Sequence, residues 1–387
     1  MTELSKASLA SGDMPISLLF VSTSYPKDYS DWKGVFIRQL LTALSESSQL
    51  DIRYWGPAGN LPDNVACSCT ERESRWLGWL MKKGGIAHLV RQKNPRSLSA
   101  AGHLLFYLFR VYQRQKSTDV FHINWLQASL SLWQGRAPAL ITVFGSDYAF
   151  LKIPGMKMLL RAVVKRRRCI LAPNAEWMKR ELEDQFGDIA RIVTIPLGID
   201  AEWFRVRRDA FSDVKCKWLV VSRLTKAKIG CLFSWSENMF SNNPHHELHL
   251  FGPMQEEMEI PGWVNYHGST FPSELREKWF PFATGLITLS SHDEGRPQVM
   301  LEAMAAGLPI IASDLPAHRN FIDDKHTGLL VPSQNEYYQA IEWLSDAANN
   351  QKIADGARKW VKKEIGTWSD CALRYIKAYQ MLLNENK

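Results

Sequence analysis

Two carboxylates stand eight residues apart in the segment 289–313, which reads LSSHDEGRPQVMLEAMAAGLPIIAS. Glu294 falls in a polar loop and Glu302 on a helix-forming run, 298–306, so an ideal helix would separate them by about 12 Å. Carboxyl groups that far apart cannot work as an acid/base pair on one bond. Each can instead accept hydroxyl protons from its own ring. Pro297 suits the first turn of a helix, where its missing amide hydrogen costs little. The backbone of Gly295, Arg296, Gln298 and Val299 around that start would draw a phosphate between the two rings. Two hydroxylated rings flanking a diphosphate have the outline of a nucleotide sugar. A second constellation, Arg223 and Lys228 in SRLTKAK (222–228), offers a bidentate guanidinium and a compact ammonium, both suited to phosphate oxygens. Read alone, that segment is equally a basic loop behind a strand.

These groups need elements to aim them. Short apolar runs alternate with amphipathic stretches along the chain, the pattern of parallel βαβ units. Strands are expected at 16–21, 120–123, 139–143, 169–172 and 192–195, with a helix at 35–44. A second series is expected at 218–221, 247–251, 264–266, 286–289 and 309–312. A last helix is expected at 370–383, with Ser369 as its N-cap. Two doubly wound α/β domains facing a cleft would bring both sets of strand-end loops together. At 387 residues the chain is long enough for two such cores.

Composition narrows the partners. The chain is 45% hydrophobic and 22% charged, and its six cysteines contain no CxxC pair. Free thiols and the lack of a signal peptide or an apolar span point to a cytoplasmic protein that does not cross the membrane. Residues 1–200 hold 26 Lys and Arg against 17 Asp and Glu, whereas the rest hold 21 against 23. Most of the excess lies in 75–116, with nine basic residues and no acid, and in 152–168, with seven and no acid. Interleaved apolar residues suit an anionic membrane surface or a lipid diphosphate, though a solvated helix face over core aromatics reads the same way. No nucleic-acid motif accompanies the charge.

The EG-x-P word followed by LEAMAAGLPIIAS resembles the retaining GT-B glycosyltransferases of family 4. The likeness extends to SRLTKAK, with Ser222 for the usual glycine, to the interdomain word IPLGID with Phe204, and to DVFH (119–122) and TVFGSD (142–147). It implies a GT-B architecture with an acceptor domain at 1–205 and a donor domain at 206–366. The terminal segment, 367–387, would return to the first domain. It further implies that Glu294 holds hydroxyls of the donor sugar, that Glu302 holds the ribose, and that Arg223 and Lys228 neutralise the diphosphate. Gly34 occupies the place of the family's glycine loop, and is otherwise an ordinary turn glycine. His122 is expected to line the cleft or to be satisfied at a strand end. Phe144 stands where many relatives have a histidine, which leaves Asp147, with Ser146 beside it, as the polar group near the acceptor. Asp147 is otherwise a helix cap.

The expected reaction is retaining transfer from a nucleotide diphosphate sugar, with UDP the commonest base, to a membrane-linked glycan or glycolipid. Bacterial surface polysaccharide synthesis, such as that of lipopolysaccharide, would be its setting. The protein would sit at the inner face of the plasma membrane. No D-x-D triplet occurs, so no metal and no cofactor beyond the co-substrate is expected. The rivals are a catalytically weak GT-B-fold binding subunit and a nucleotide-sugar epimerase.

Overall fold

The computed structural model describes residues 14–384 apart from 30, 32–33, 87–88, 90–94, 134, 210–214 and 292–296. It contains two sheets, both parallel throughout. The first is built from β1 (Ile16–Val21), β2 (Leu50–Trp55), β3 (Ala66–Cys67), β4 (Val120–Asn124), β5 (Ala139–Val143), β6 (Cys169–Pro173) and β7 (Arg191–Ile192), in the order β3-β2-β1-β4-β5-β6-β7. The second is built from β8 (Cys216–Val221), β9 (His246–Phe251), β10 (Val264–Tyr266), β11 (Gly285–Thr288), β12 (Ile310–Ser313) and β13 (Leu329–Val331), in the order β10-β9-β8-β11-β12-β13.

Burial explains the parallel pairing. β4, β5 and β6 are buried at every residue, as strands must be when helices cover both faces of a sheet. Four apolar clusters result, two on each sheet. Strand order reverses between β1 and β4 in the first sheet and between β8 and β11 in the second. In such sheets a crevice opens at the carboxyl ends of the strands beside that reversal, and ligands bind there. The loops after β1, β4, β8 and β11 are therefore the ones that topology aims at a site.

The chain passes from one sheet to the other through Ile195–Asp200 and returns through the helix Trp368–Asn384. That helix packs Trp368, Tyr375, Tyr379 and Leu382 against Ile37, Leu40, Leu41 and Leu44 of the helix Val35–Ser45. Outgoing and returning strands of chain touch where Ile199 donates its amide to the Gly366 carbonyl at 3.1 Å. The returning helix starts two residues earlier than the sequence suggests. Asp370 accepts the Thr367 amide at 2.7 Å, so the Thr367–Asp370 pair sets the start and Ser369 lies inside the helix.

Candidate active site

β8 is followed by Ser222 and Arg223, and Arg223 is exposed. Thr225 then caps the short helix Lys226–Ile229 through the Lys228 amide at 3.2 Å. That turn places Lys228, half-buried, close to Arg223. Burial, and then the Arg223 charge, push the Lys228 ammonium down to about 8. Two neighbouring cations, Arg223 exposed and Lys228 half-buried, repel one another and suit a dianion between them.

Glycines allow this loop to form. Gly252, just after β9, has φ of 135°, and a Cβ there would land inside the Ser222 carbonyl. Gly230, with φ of 53°, likewise lies against the Leu289 carbonyl. The loop after β11 is tied to the same place. Ser291 donates its amide to the Ala227 carbonyl at 2.8 Å, and Ser313 Oγ donates to the Ser290 carbonyl at 2.6 Å. The loops following β8 and β11 thus form one bonded unit, and a cavity of about 610 Å³ opens beside it between Lys226, Trp235 and Asp314.

Glu302 lies in the middle of the helix Gln298–Ala306, half-buried among protein groups. Burial, reinforced by the Asp200 charge and opposed by Arg276, raises its carboxyl to about 7. Arg276 sits on the π-helical segment Leu275–Trp279, 5.8 Å from the centre of the Trp203 ring. Neither Asp200 nor Arg276 was singled out by the sequence as a neighbour of Glu302. The IPLGID word was visible, but only the crossing of the linker over this helix makes Asp200 its electrostatic partner. Gln298 Nε2 donates to the Gly198 carbonyl at 2.8 Å, so that side chain clamps the linker to the helix. Pro297 is buried and Val299 packs against the core beneath. The amides of Gln298 and Val299, at a helix start, have no intrahelical acceptor. Glu294, Gly295 and Arg296 lie outside the described residues.

In the first half, Gly34 has φ of 71° directly before the helix Val35–Ser45, and a Cβ would come within 2.8 Å of Ser24 Oγ. Backbone and helix start can therefore approach the crevice where a side chain could not. Of the two places expected for His122 the structure shows the satisfied strand end, and the expectation for Asp147 is corrected. His122 is wholly buried: Tyr379 lies 2.6 Å from Nδ1 and Thr142 Oγ1 2.9 Å from Nε2. Burial pushes its imidazole down to about 3, so it is a neutral link between β4 and the returning helix and does not line the cleft. Asp147 is 1% exposed, and its Oδ2 accepts the amides of Leu126 at 3.2 Å and Phe144 at 3.1 Å. It braces two strand-end turns and does not offer its carboxylate to an acceptor. Ser146 belongs to the adjoining 3-10 turn Gly145–Asp147.

What the sequence missed here is aromatic. Trp125, following β4, has φ of 73° and ψ of 133°, and its ring lies 5.3 Å from that of Phe144 and 6.3 Å from that of Phe36. A bulky side chain in that backbone region costs about 1–3 kcal/mol and persists only when the surroundings enforce it. Nothing in the sequence around Trp125 announces a positive φ.

With this geometry in place, the architecture is that of the GT-B glycosyltransferases. Residues 220–347 match the family model described as Glycosyl transferases group 1. Among solved structures, the chain is similar to the sucrose-phosphate synthase of Thermosynechococcus elongatus, with a TM-score of 0.68 at 17% identity over 95% of this chain and 99% of that one. It is also similar to Anabaena HepE in complex with UDP-glucose, with a TM-score of 0.62 at 13% identity over 95% and 100% of the two chains. A probable sucrose-phosphate synthase of Thermosipho melanesiensis is 30% identical over 92 residues, 24% of this chain. The match spans about a fifth (21%) of that relative's length.

Proposed function

We propose that this chain is a retaining, metal-independent glycosyltransferase that moves a sugar from a nucleotide diphosphate sugar to a membrane-linked glycan or glycolipid, as in surface polysaccharide synthesis. The observation that carries this reading is the pair Arg223 and Lys228 held beside the β8–β11 crevice by the Thr225 cap and the Ser291–Ala227 bond. Arg223 and Lys228 take the diphosphate, the Gln298 and Val299 amides support it, and Glu302 accepts from the ribose hydroxyls. Glu294 takes the donor sugar by resemblance, and Gly34 lets the opposite loop close on the phosphates. The UDP-glucose held by the similarly folded Anabaena protein supports a UDP-sugar.

With Asp147 buried in a turn, none of the acids discussed among the described residues offers itself as a nucleophile, and the resemblance gives Glu294 the sugar hydroxyls. The acceptor hydroxyl attacks the anomeric carbon on the face that the diphosphate leaves. Its proton passes to a departing diphosphate oxygen as the glycosyl–oxygen bond breaks. The protein contributes orientation and stabilisation of the charge that develops on the leaving group. A thermal-shift screen of UDP-, GDP- and ADP-sugars, followed by nucleotide release assays in EDTA with added membranes, tests this reading. A stabilising donor that is turned over supports it. Stabilisation without release would indicate the binding subunit, an isomerised donor the epimerase, and no stabilisation by any donor would overturn the site.

The two displaced titrations give a pH signature. Ribose hydroxyls bind the ionised form of Glu302, so donor affinity should rise about sixfold as pH climbs from 6 to about 7.5 through its value of about 7. The diphosphate binds protonated Lys228, so affinity should fall again above about 8. The resulting bell should lose its acid limb in Glu302→Gln and its alkaline limb in Lys228→Arg. A profile that is flat in the native protein rules out both roles.

The acceptor's membrane setting rests on the basic stretch 152–168, which the structure trims. Arg161 pairs with Asp188, and buried Arg167 donates to the Leu132 and Ala137 carbonyls. Lys152, Lys157, Lys165 and Arg166 remain exposed. They accompany Ile153, Met158 and Leu159, which are 44%, 76% and 40% exposed on and before the helix Met156–Val164. No helix among the described residues is long and apolar enough to cross a membrane. Exposed apolar groups ringed by cations suit the surface of an anionic bilayer. Binding to phosphatidylglycerol vesicles should weaken with salt and fail in Met158→Asp. Equal binding to neutral vesicles would remove this part of the reading.

A further inference from the structure

Trp125 and Lys325 are the non-glycine residues with positive φ among the described residues. The environment of Trp125 enforces the conformation from several sides. Its amide donates to the Thr142 carbonyl at 3.0 Å, and its own carbonyl accepts the Ala128 amide at 3.1 Å. The buried Asp147 carboxylate holds the next amide, that of Leu126, together with the Phe144 amide. One carboxylate therefore fixes the backbone at Phe144 and directly after Trp125, two of the three rings of the Phe36, Trp125 and Phe144 group. Packing alone would not select a tryptophan where glycine is the residue at ease.

Location gives the conformation a use. The three rings stand at or beyond the carboxyl ends of β1, β4 and β5, next to the strand reversal of the first sheet and to Gly34. Phe144 is buried, whereas Trp125 and Phe36 keep part of their surface open. A half-open indole backed by two further rings is a flat apolar surface with no charge of its own. Pyranose rings carry C–H bonds on one face and hydroxyls at the edge, so such a surface takes the ring and leaves the hydroxyls free to react. A phosphate or a carboxylate finds no partner in the trio.

We propose that Trp125, backed by Phe36 and Phe144, is the stacking platform for the pyranose ring of the acceptor, with Asp147 as its positioning residue. This inference rests on the glycosyl-transfer reading above. The test is saturation-transfer NMR with methyl gluco-, galacto- and mannopyranoside in the presence of UDP. The native protein and Trp125→Phe should saturate the C–H protons of one pyranoside face. Trp125→Gly, which adopts this backbone without strain, should bind the pyranoside roughly tenfold more weakly while UDP is saturated as before. Trp125→Leu serves the same purpose should the glycine variant not fold, since it keeps apolar packing and lacks the flat face. Native-level pyranoside signals in the glycine or leucine variant, or none in the native protein, would overturn the platform. Absence of UDP signals in the native protein would instead count against the donor site.

Discussion

Lys228→Ala is expected to cut transfer by about 10²–10³-fold and, in the same variant, to shrink the stabilisation that a donor confers. The two effects have one origin. Burial and Arg223 lower the Lys228 ammonium from its ordinary value to about 8, so the folded chain holds this proton less tightly than the unfolded one. Between about 8 and the ordinary lysine range the unfolded state binds more protons, and native stability rises with pH across that window. Below that window Lys228 carries the charge that a diphosphate meets, and the donor offsets both the lost hydration and the repulsion from Arg223. Donor-induced stabilisation should therefore shrink in Lys228→Ala. Arg223→Ala should lose less, since its exposed guanidinium acts through better-screened water. The measurements are kcat and the thermal shift with and without donor. An unchanged donor shift in Lys228→Ala would remove Lys228 from the diphosphate site.

Legibility in the sequence followed range. Arg223 with Lys228, and Pro297 with the helix ending at Gly307, are local patterns, and the strand–loop–helix order around them could be read directly. β2 and β3 were not anticipated, and neither was the order of the sheets. LDIRYW exposes Asp51 and Arg53, and its partner β1 lies more than thirty residues upstream. The choice between the two places of His122, and the burial of Asp147, were hidden for a related reason. What decides the fate of His122 is Tyr379, 257 residues later, on a helix whose return the sequence only implied. Asp147 sits in a GSD word that reads as a polar group near the acceptor or as a helix cap. Its carboxylate is buried because β4 ends in the backbone kink at Trp125, leaving the Leu126 amide to be satisfied. The electrostatics of Glu302 were hidden in the same way, because its neighbours Asp200 and Arg276 come from distant segments.

Gly252→Ala should be the most damaging single-methyl change in the second sheet. The residue follows β9 with φ of 135°, where an L side chain is strained, and its Cβ would enter the Ser222 carbonyl on the neighbouring strand end. Neither side can yield freely. The Gly252 amide donates to the Gly268 carbonyl at 2.7 Å, and its carbonyl accepts the Tyr266 hydroxyl at 2.9 Å. Ser222 is fixed in turn by its amide bond to the Phe251 carbonyl at 2.9 Å. The loop carrying Arg223 must therefore move, and Tm should fall by roughly 5–10 °C, as for a backbone clash of about 3 kcal/mol. Donor affinity should fall further than stability alone accounts for, because the displaced atoms are those beside the proposed diphosphate site. Gly78→Ala provides the contrast. Nothing lies within 4 Å of its would-be Cβ on the helix Glu71–Lys82, and alanine should stabilise that helix by about 0.5–1 kcal/mol. Equal Tm values for the two variants would show that the β8–β9 loop contact is not the constraint that holds Arg223 in place.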